Sequence, residues 1–278
     1  MKKSTRIEWA KETLAICEAG FYLAPSGKRI EIAAATKNAI SGTILYSPEN
    51  CPQPKDCQSA VATVIEVVNE TACEAIARLQ EHGRHVGCLN FASAKNAGGG
   101  FLTGAQAQEE ALARSSALYP CLLQAPQYYE RNRAQRSTIY LDLLIYSPFV
   151  PFFRNDEGML LEQPVLASVI TAPAPNAGAV MQNEPQNAGA IEPALRRRAE
   201  LVLTIAQAHG IERLVLGAWG CGVFRNDPKL VATVFADLLR PNGKFAGAFS
   251  QIVFAVFDRS EGATTYQAFT DQFKGGAL

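Results

Sequence analysis

Two clusters of residue types in this chain could do chemistry. The first is Gly98-Gly99-Gly100 followed, after seven intervening residues, by Gln108-Glu109-Glu110. Three consecutive residues without Cβ let the backbone take φ > 0 and approach a ligand closely, and a turn of this kind gathers N–H groups into a concave anion site. Two carboxylates at its far end add acid–base capacity. The second cluster is Gly220-Cys221-Gly222-Val223-Phe224, which runs into Arg225-Asn226-Asp227-Pro228. Asp227 suits a helix N-cap and Pro228 the first helical position, so this loop opens a helix whose N-terminus would favour a pyrophosphate. The chemistry on offer is thus a diphosphate grip beside an acid–base pair.

Each residue also has a plainer reading. Acidic residues in a first helical turn complement the helix dipole and are common. Phe224 could simply plug its loop onto the core. An amide at Asn96 could bind hydroxyls or brace the loop. It is the company of Gly98–Gly100 that favours a functional role for Glu109 and Glu110.

The stretch FASAKNAGGGFLTGAQAQEE, together with the Gly-Cys-Gly-Val-Phe loop, resembles the bacterial (microbial-type) poly(ADP-ribose) glycohydrolases of the macrodomain superfamily. The likeness runs from about Thr5 to the C-terminal region. It implies a three-layer α/β/α macrodomain-like mixed sheet with an N-terminal helical and hairpin extension, residues 1–50, on a catalytic domain, residues 51–278. It implies hydrolysis of ribose–ribose O-glycosidic bonds in poly(ADP-ribose), or in ADP-ribosylated protein, with ADP-ribose as product and no cofactor or metal. Such cleavage needs a proton for the leaving oxygen, stabilisation of an oxocarbenium-like centre and a positioned water. By the resemblance, Glu110 is the acid/base and Glu109 orients the ribose. Asn96, Gly98, Gly99, Gly100, Gln108, Gly220, Cys221, Gly222, Val223 and Phe224 bind substrate, with Phe224 against the distal ribose. The family often has proline where Ala97 stands. Two other readings share this machinery: a non-catalytic ADP-ribose-binding module, and a hydrolase of a different ADP-ribosyl linkage.

The elements that must hold these loops can be read from periodicity. Residues 4–19 read as a helix, and FYL with RIEIAAA as a hairpin around APSGKR. Thr43–Tyr46 is a short extended piece. TVIEVV (63–68) and HVGCLNF (85–91) are strands flanking a helix that Asn69 or Thr71 caps and Gly83 closes. Strand, helix, strand in so short a span predicts parallel, neighbouring strands, with the glycine loop at a carboxyl end. A helix is expected from Gln106 to Tyr119, then two strands within 138–154 broken near Pro148, and a strand at 165–171. The two Asn-Ala-Gly echoes, at Asn176 and Asn187, read as loop. Helix 191–209, strand 213–219, a helix after Asp227, strand 250–257 and helix 265–273 follow, and the tail Gly275–Leu278 should be loose. The run Arg196–Arg198 reads as a solvated helix face.

The totals bound the rest. The 278 residues are 48% hydrophobic and 19% charged, with 26 basic and 26 acidic side chains. That excludes a global basic field for nucleic acid, so a polyanion must be held by local loops. The cysteines are Cys17, Cys51, Cys57, Cys73, Cys88, Cys121 and Cys221, without zinc spacing; Cys73 and Cys88 fall in apolar patterns that suit buried free thiols. His82, His85 and His209 are scattered. No apolar run is long enough for a membrane span, and the N-terminus lacks a secretory core, so a soluble, cytoplasmic protein is expected, acting as a monomer.

Overall fold

The computed structural model describes residues 1–54, 63–80 and 83–274; Cys57, His82 and the C-terminal tail of the sequence reading lie outside it. Helix α1 (Lys3–Ala19) leads into a two-stranded hairpin, β1 (Phe21–Leu23) and β2 (Arg29–Glu31), in which Tyr22 faces Ile30. A short helix α2 (Ala33–Ser41), not evident in the sequence pattern, precedes β3 (Ile44–Tyr46).

Next come β4 (Val64–Val68), α3 (Ala72–Leu79), β5 (Val86–Phe91), α4 (Gln108–Ser115), α5 (Leu118–Leu122), α6 (Pro126–Ala134), β6 (Leu144–Arg154) and β7 (Leu160–Ala172). The chain closes with α7 (Ala177–Asn183), a 3-10 turn (Pro185–Ala190), α8 (Ile191–Ala208), β8 (Arg213–Leu216), α9 (Pro228–Leu239), β9 (Gln251–Ala255) and α10 (Thr264–Phe273).

Seven strands form one mixed sheet in the order β3-β6-β7-β5-β8-β9-β4. The block β7-β5-β8-β9-β4 is parallel, and β6 and β3 are antiparallel additions. Alternation in the strands builds two cores. Cys88, Val215 and Val253 point to the face that carries α3 to α6. Leu89, Leu214, Leu216, Ile252 and Phe254 point to the face that carries α8 to α10. This is the expected three-layer α/β/α arrangement. Cys73 and Cys88 are buried free thiols, as their patterns suggested.

Some local expectations fail for identifiable reasons. β4 and β5 run parallel but are not neighbours, because β8 and β9 lie between them. The helix expected over 106–119 breaks at Ser116, whose extended backbone bridges to Phe152 of β6. The neighbouring Ala117 N–H donates to the Pro151 carbonyl. Residues 144–154 form one strand, its irregularity absorbed by a bulge between Ser147 and Val150 where Pro148 sits. The segment after Asn176 is helical, with the Asn176 side chain accepting the Ala179 N–H. Arg196 and Arg197 face solvent in ion pairs, whereas Arg198 is completely buried.

Candidate active site

The parallel strands all present their carboxyl ends to one edge, and β5 stands at the centre of the sheet. The chain leaves β5 toward α4 on one face, and leaves the adjacent β8 toward α9 on the other. A crevice therefore opens between the two loops, where open α/β sheets bind ligands. A cavity of about 700 Å³ fills it, lined by Asn96, Gln108, Glu109, Glu110, the whole of Gly220–Phe224 and Tyr140.

The two carboxylates sit in the first turn of α4, both beside Gly99 but with different hydrogen-bond partners. Helical rotation, about 100° per residue, gives them these different neighbours. Glu109 turns back to β5 and is 3% exposed. Its Oε2 accepts the Ser93 N–H at 2.7 Å and its Oε1 the Asn90 amide at 3.3 Å. Burial pushes its carboxyl up to about 8, against the pull of Ser93, Asn90 and the Gly98 amide. Glu110 turns toward the glycines, and its Oε1 accepts the Gly100 N–H at 2.8 Å. Gln108 fastens the helix start to β5, accepting from Phe91 N–H and donating to the Leu89 carbonyl, both at 2.8 Å. From the other side, buried Arg114 donates to the Ala105 carbonyl and to Gln106.

This geometry alters the reading of the glycine triplet. Gly98 and Gly99 take φ of 67° and 58°. A Cβ on Gly99 would stand 2.4 Å from Glu110 Oε1 and 3.0 Å from Glu109 Oε2. The amide of Gly100 donates to Glu110, and that of Gly99 donates to the Asn96 carbonyl. The triplet makes room for the acids and holds them. Gly98 itself packs on the Tyr119 ring and does not line the crevice.

The second loop lines the crevice, and its Cys221 N–H closes a turn by donating to the Ala218 carbonyl. Asp227 caps α9 through the Lys229 N–H and Pro228 is the first helical residue, as the sequence indicated. Gly220, at φ 74°, could carry no side chain, since a Cβ would lie 2.4 Å from Ala174 Cβ and 2.5 Å from the Asn226 amide. Buried Asn226 ties the loop to its neighbour by donating to the carbonyls of Pro175 and Gly220. Burial pushes the Cys221 thiol up to about 12, which keeps it neutral beside an anion. Phe224 packs against the second core and also faces the crevice, 6.0 Å from the Tyr140 ring.

Tyr140 and Asn226 were not singled out in the sequence. Tyr140 adopts φ 62°, a conformation no local pattern announces. Asn226 stands between Phe224 and the capping Asp227, so a polar residue pinned inside a glycine loop was the available signal. Among the described residues no group of side chains is arranged to hold a metal ion, and no helix is long and apolar enough to cross a membrane.

Comparisons with known proteins agree with this geometry. The model of the family described as microbial-type PARG, catalytic domain, matches residues 10–155. A crystal structure of poly(ADP-ribose) glycohydrolase from Thermomonospora curvata is 48% identical over 97% of this chain and 100% of its own, with a TM-score of 0.91. The same protein bound to the inhibitor ADP-HPD gives 49% identity, the same coverage and a TM-score of 0.90. A Deinococcus radiodurans poly(ADP-ribose) glycohydrolase in complex with ADP-ribose is 45% identical, covering 87% of this chain and 98% of its own, with a TM-score of 0.80. The comparison with curated proteins returns no match. With the family model matching more than half of the chain and nearly the whole fold shared at 48% identity, the chain belongs to the microbial-type PARG family, the bacterial poly(ADP-ribose) glycohydrolases.

Proposed function

We propose that this crevice cleaves the ribose–ribose bond of poly(ADP-ribose) with Glu110 as acid/base and Glu109 as the group that orients the sugar. The observation that carries the assignment is the unequal hydrogen bonding of the two carboxylates, which both lie beside Gly99. Glu109 is drawn back onto β5, while Glu110 stands at the crevice with Oε1 fixed by Gly100. Its Oε2 makes no hydrogen bond among the described residues, so it is available to a leaving oxygen and then to a water. The Gly220–Phe224 turn and the N-terminus of α9 suit the diphosphate of the terminal unit. Phe224 and Tyr140 would flank the distal ribose, and Asn96 would reach its hydroxyls. The diphosphate, held nearby, would help stabilise the cationic sugar. Gly98–Gly100 serve by positioning the acids. The free thiols of Cys73 and Cys88 suit a reducing compartment such as the cytoplasm.

The test is release of ADP-ribose from labelled polymer by the wild type and by Glu110→Gln. Loss of one acid/base should slow release by about 10²–10⁴-fold. ADP-ribose affinity should stay within about threefold, because a neutral isostere preserves the site. Equal release by both proteins, or no release by either, sinks the assignment.

A further inference from the structure

A second cavity of about 800 Å³ lies on the other side of Glu110 from the diphosphate loop. It is walled by Leu102, Tyr119, Leu122, Leu123, Pro126 and Arg133, from the segment after the glycines and from α5 and α6. The two cavities adjoin at Ser93, Asn96 and Glu110, which border both. Neither the diphosphate loop nor Phe224 contributes to this second space.

We infer that this cavity is a leaving-side subsite, which takes the adenosine of the next polymer unit while the terminal ADP-ribose occupies the crevice. The inference rests on the reading of Glu110 given above. An acid that protonates a glycosidic oxygen must stand between the sugar it keeps and the group that departs. The diphosphate grip lies on one side of Glu110, so the departing group belongs on the other. In this polymer the departing oxygen is a ribose hydroxyl of an adenosine, carrying a flat apolar base and a phosphate.

The walls match that chemistry. Leu102 and Leu123 are 48% and 51% exposed, an apolar surface left open to solvent beside the catalytic loop. Tyr119 adds an aromatic face, already packed on Gly98 and 5.2 Å from the Phe101 ring, so it is preorganised. Such surfaces suit a nucleobase, for which stacking is tolerant of detail. Arg133 reaches back from α6 and donates to the Lys95 carbonyl at 2.6 Å. Lys95 lines the first cavity and Arg133 the second, so a cation flanks each side of the saddle where the chain of phosphates would cross. A site of this kind selects polymer over a lone ADP-ribosyl group, since only polymer supplies an adenosine as leaving group.

The experiment compares Arg133→Ala and Leu123→Asp with wild type, both being surface positions. The substrate is protein-free ADP-ribose oligomer, and ADP-ribose affinity is measured by calorimetry. Each variant should raise KM for oligomer about fivefold, the effect of one partly exposed contact, while ADP-ribose affinity stays within about twofold. An unchanged oligomer KM overturns the inference, as does a parallel loss of ADP-ribose affinity. If the variants slow release only from modified protein and not from free oligomer, the cavity serves a protein acceptor and the inference is again wrong. A wild type that releases nothing from oligomer would instead overturn the assignment of Glu110.

Discussion

Glu109 is the residue whose protonation the fold controls most visibly. In an unfolded chain its carboxyl ionises near 4.5, and in the folded protein burial holds it to about 8. The folded state therefore binds an extra proton between those values, and stability falls as pH rises through that window. The displacement is on the order of 5 kcal/mol when fully expressed. Glu109→Gln removes the ionisation while leaving an acceptor for the Ser93 N–H. The Tm of the variant minus that of the wild type should widen by several degrees as pH goes from about 5 to about 8, then level off. A gap independent of pH would show that Glu109 stays ionised. Gly99 makes the complementary case. Gly99→Ala places a methyl 2.4 Å from Glu110 Oε1 in a left-handed backbone. The conformational part costs about 1–2 kcal/mol, and displacing the acid by an ångström costs about 10²-fold in rate. Polymer hydrolysis should thus drop far more than the melting temperature suggests. Glycines beside two acids were legible in the sequence. That the glycines hold the acids was not, because it depends on which way a helix turns its first two side chains.

At the scale of elements, α8 shows what a charge run conceals. Arg196, Arg197 and Arg198 read alike in sequence, yet helical rotation sends the third into the protein. Arg198 pairs with Asp142 at 2.7 Å and donates to the carbonyls of Pro173, Ile139 and Tyr140. It thereby fixes the segment before β6, whose Tyr140 faces Phe224, and the end of β7. Arg198→Met would leave three carbonyls without this donor and Asp142 with the exposed Arg197 as its remaining ion pair. Breaking such a pair from one side costs about 3–5 kcal/mol. The expected phenotype is a lower Tm and a raised KM for polymer, with kcat per folded molecule less affected; calorimetry and initial rates separate the two. Unchanged stability would mean that solvent replaces the guanidinium freely. Long, strongly periodic elements such as α8 and β5 were readable because one face or both are buried. The break at Ser116 and the single strand 144–154 were not, since a long-range bridge to Phe152 and a bulge decide them.

For the whole molecule, strand order is where local pattern gives out. The βαβ unit suggested adjacent strands, but β8 and β9, more than a hundred residues later, insert between β4 and β5. The N-terminal helix is placed by equally distant contacts: Arg6 donates to the Gly104 carbonyl at 2.7 Å and Thr13 to the Arg114 carbonyl at 2.6 Å. So α1 braces both ends of the segment that carries Glu109 and Glu110, a role that no feature of its own sequence indicates. Composition, by contrast, speaks directly to how the enzyme meets a polyanion. With 26 basic and 26 acidic side chains, the protein has no net field to draw polymer in. Attraction would then rest on local groups around the two cavities, with Lys95 lining the first and Arg133 the second. Each ionic contact with a single strand adds about −0.7 to the slope of log affinity against log salt. For one or two such contacts, log kcat/KM on polymer should fall with log salt at a slope of about −1. Initial rates across a salt series measure it. A slope steeper than about −4 would demand a basic track several phosphates long, and would contradict recognition confined to the two cavities around Glu110.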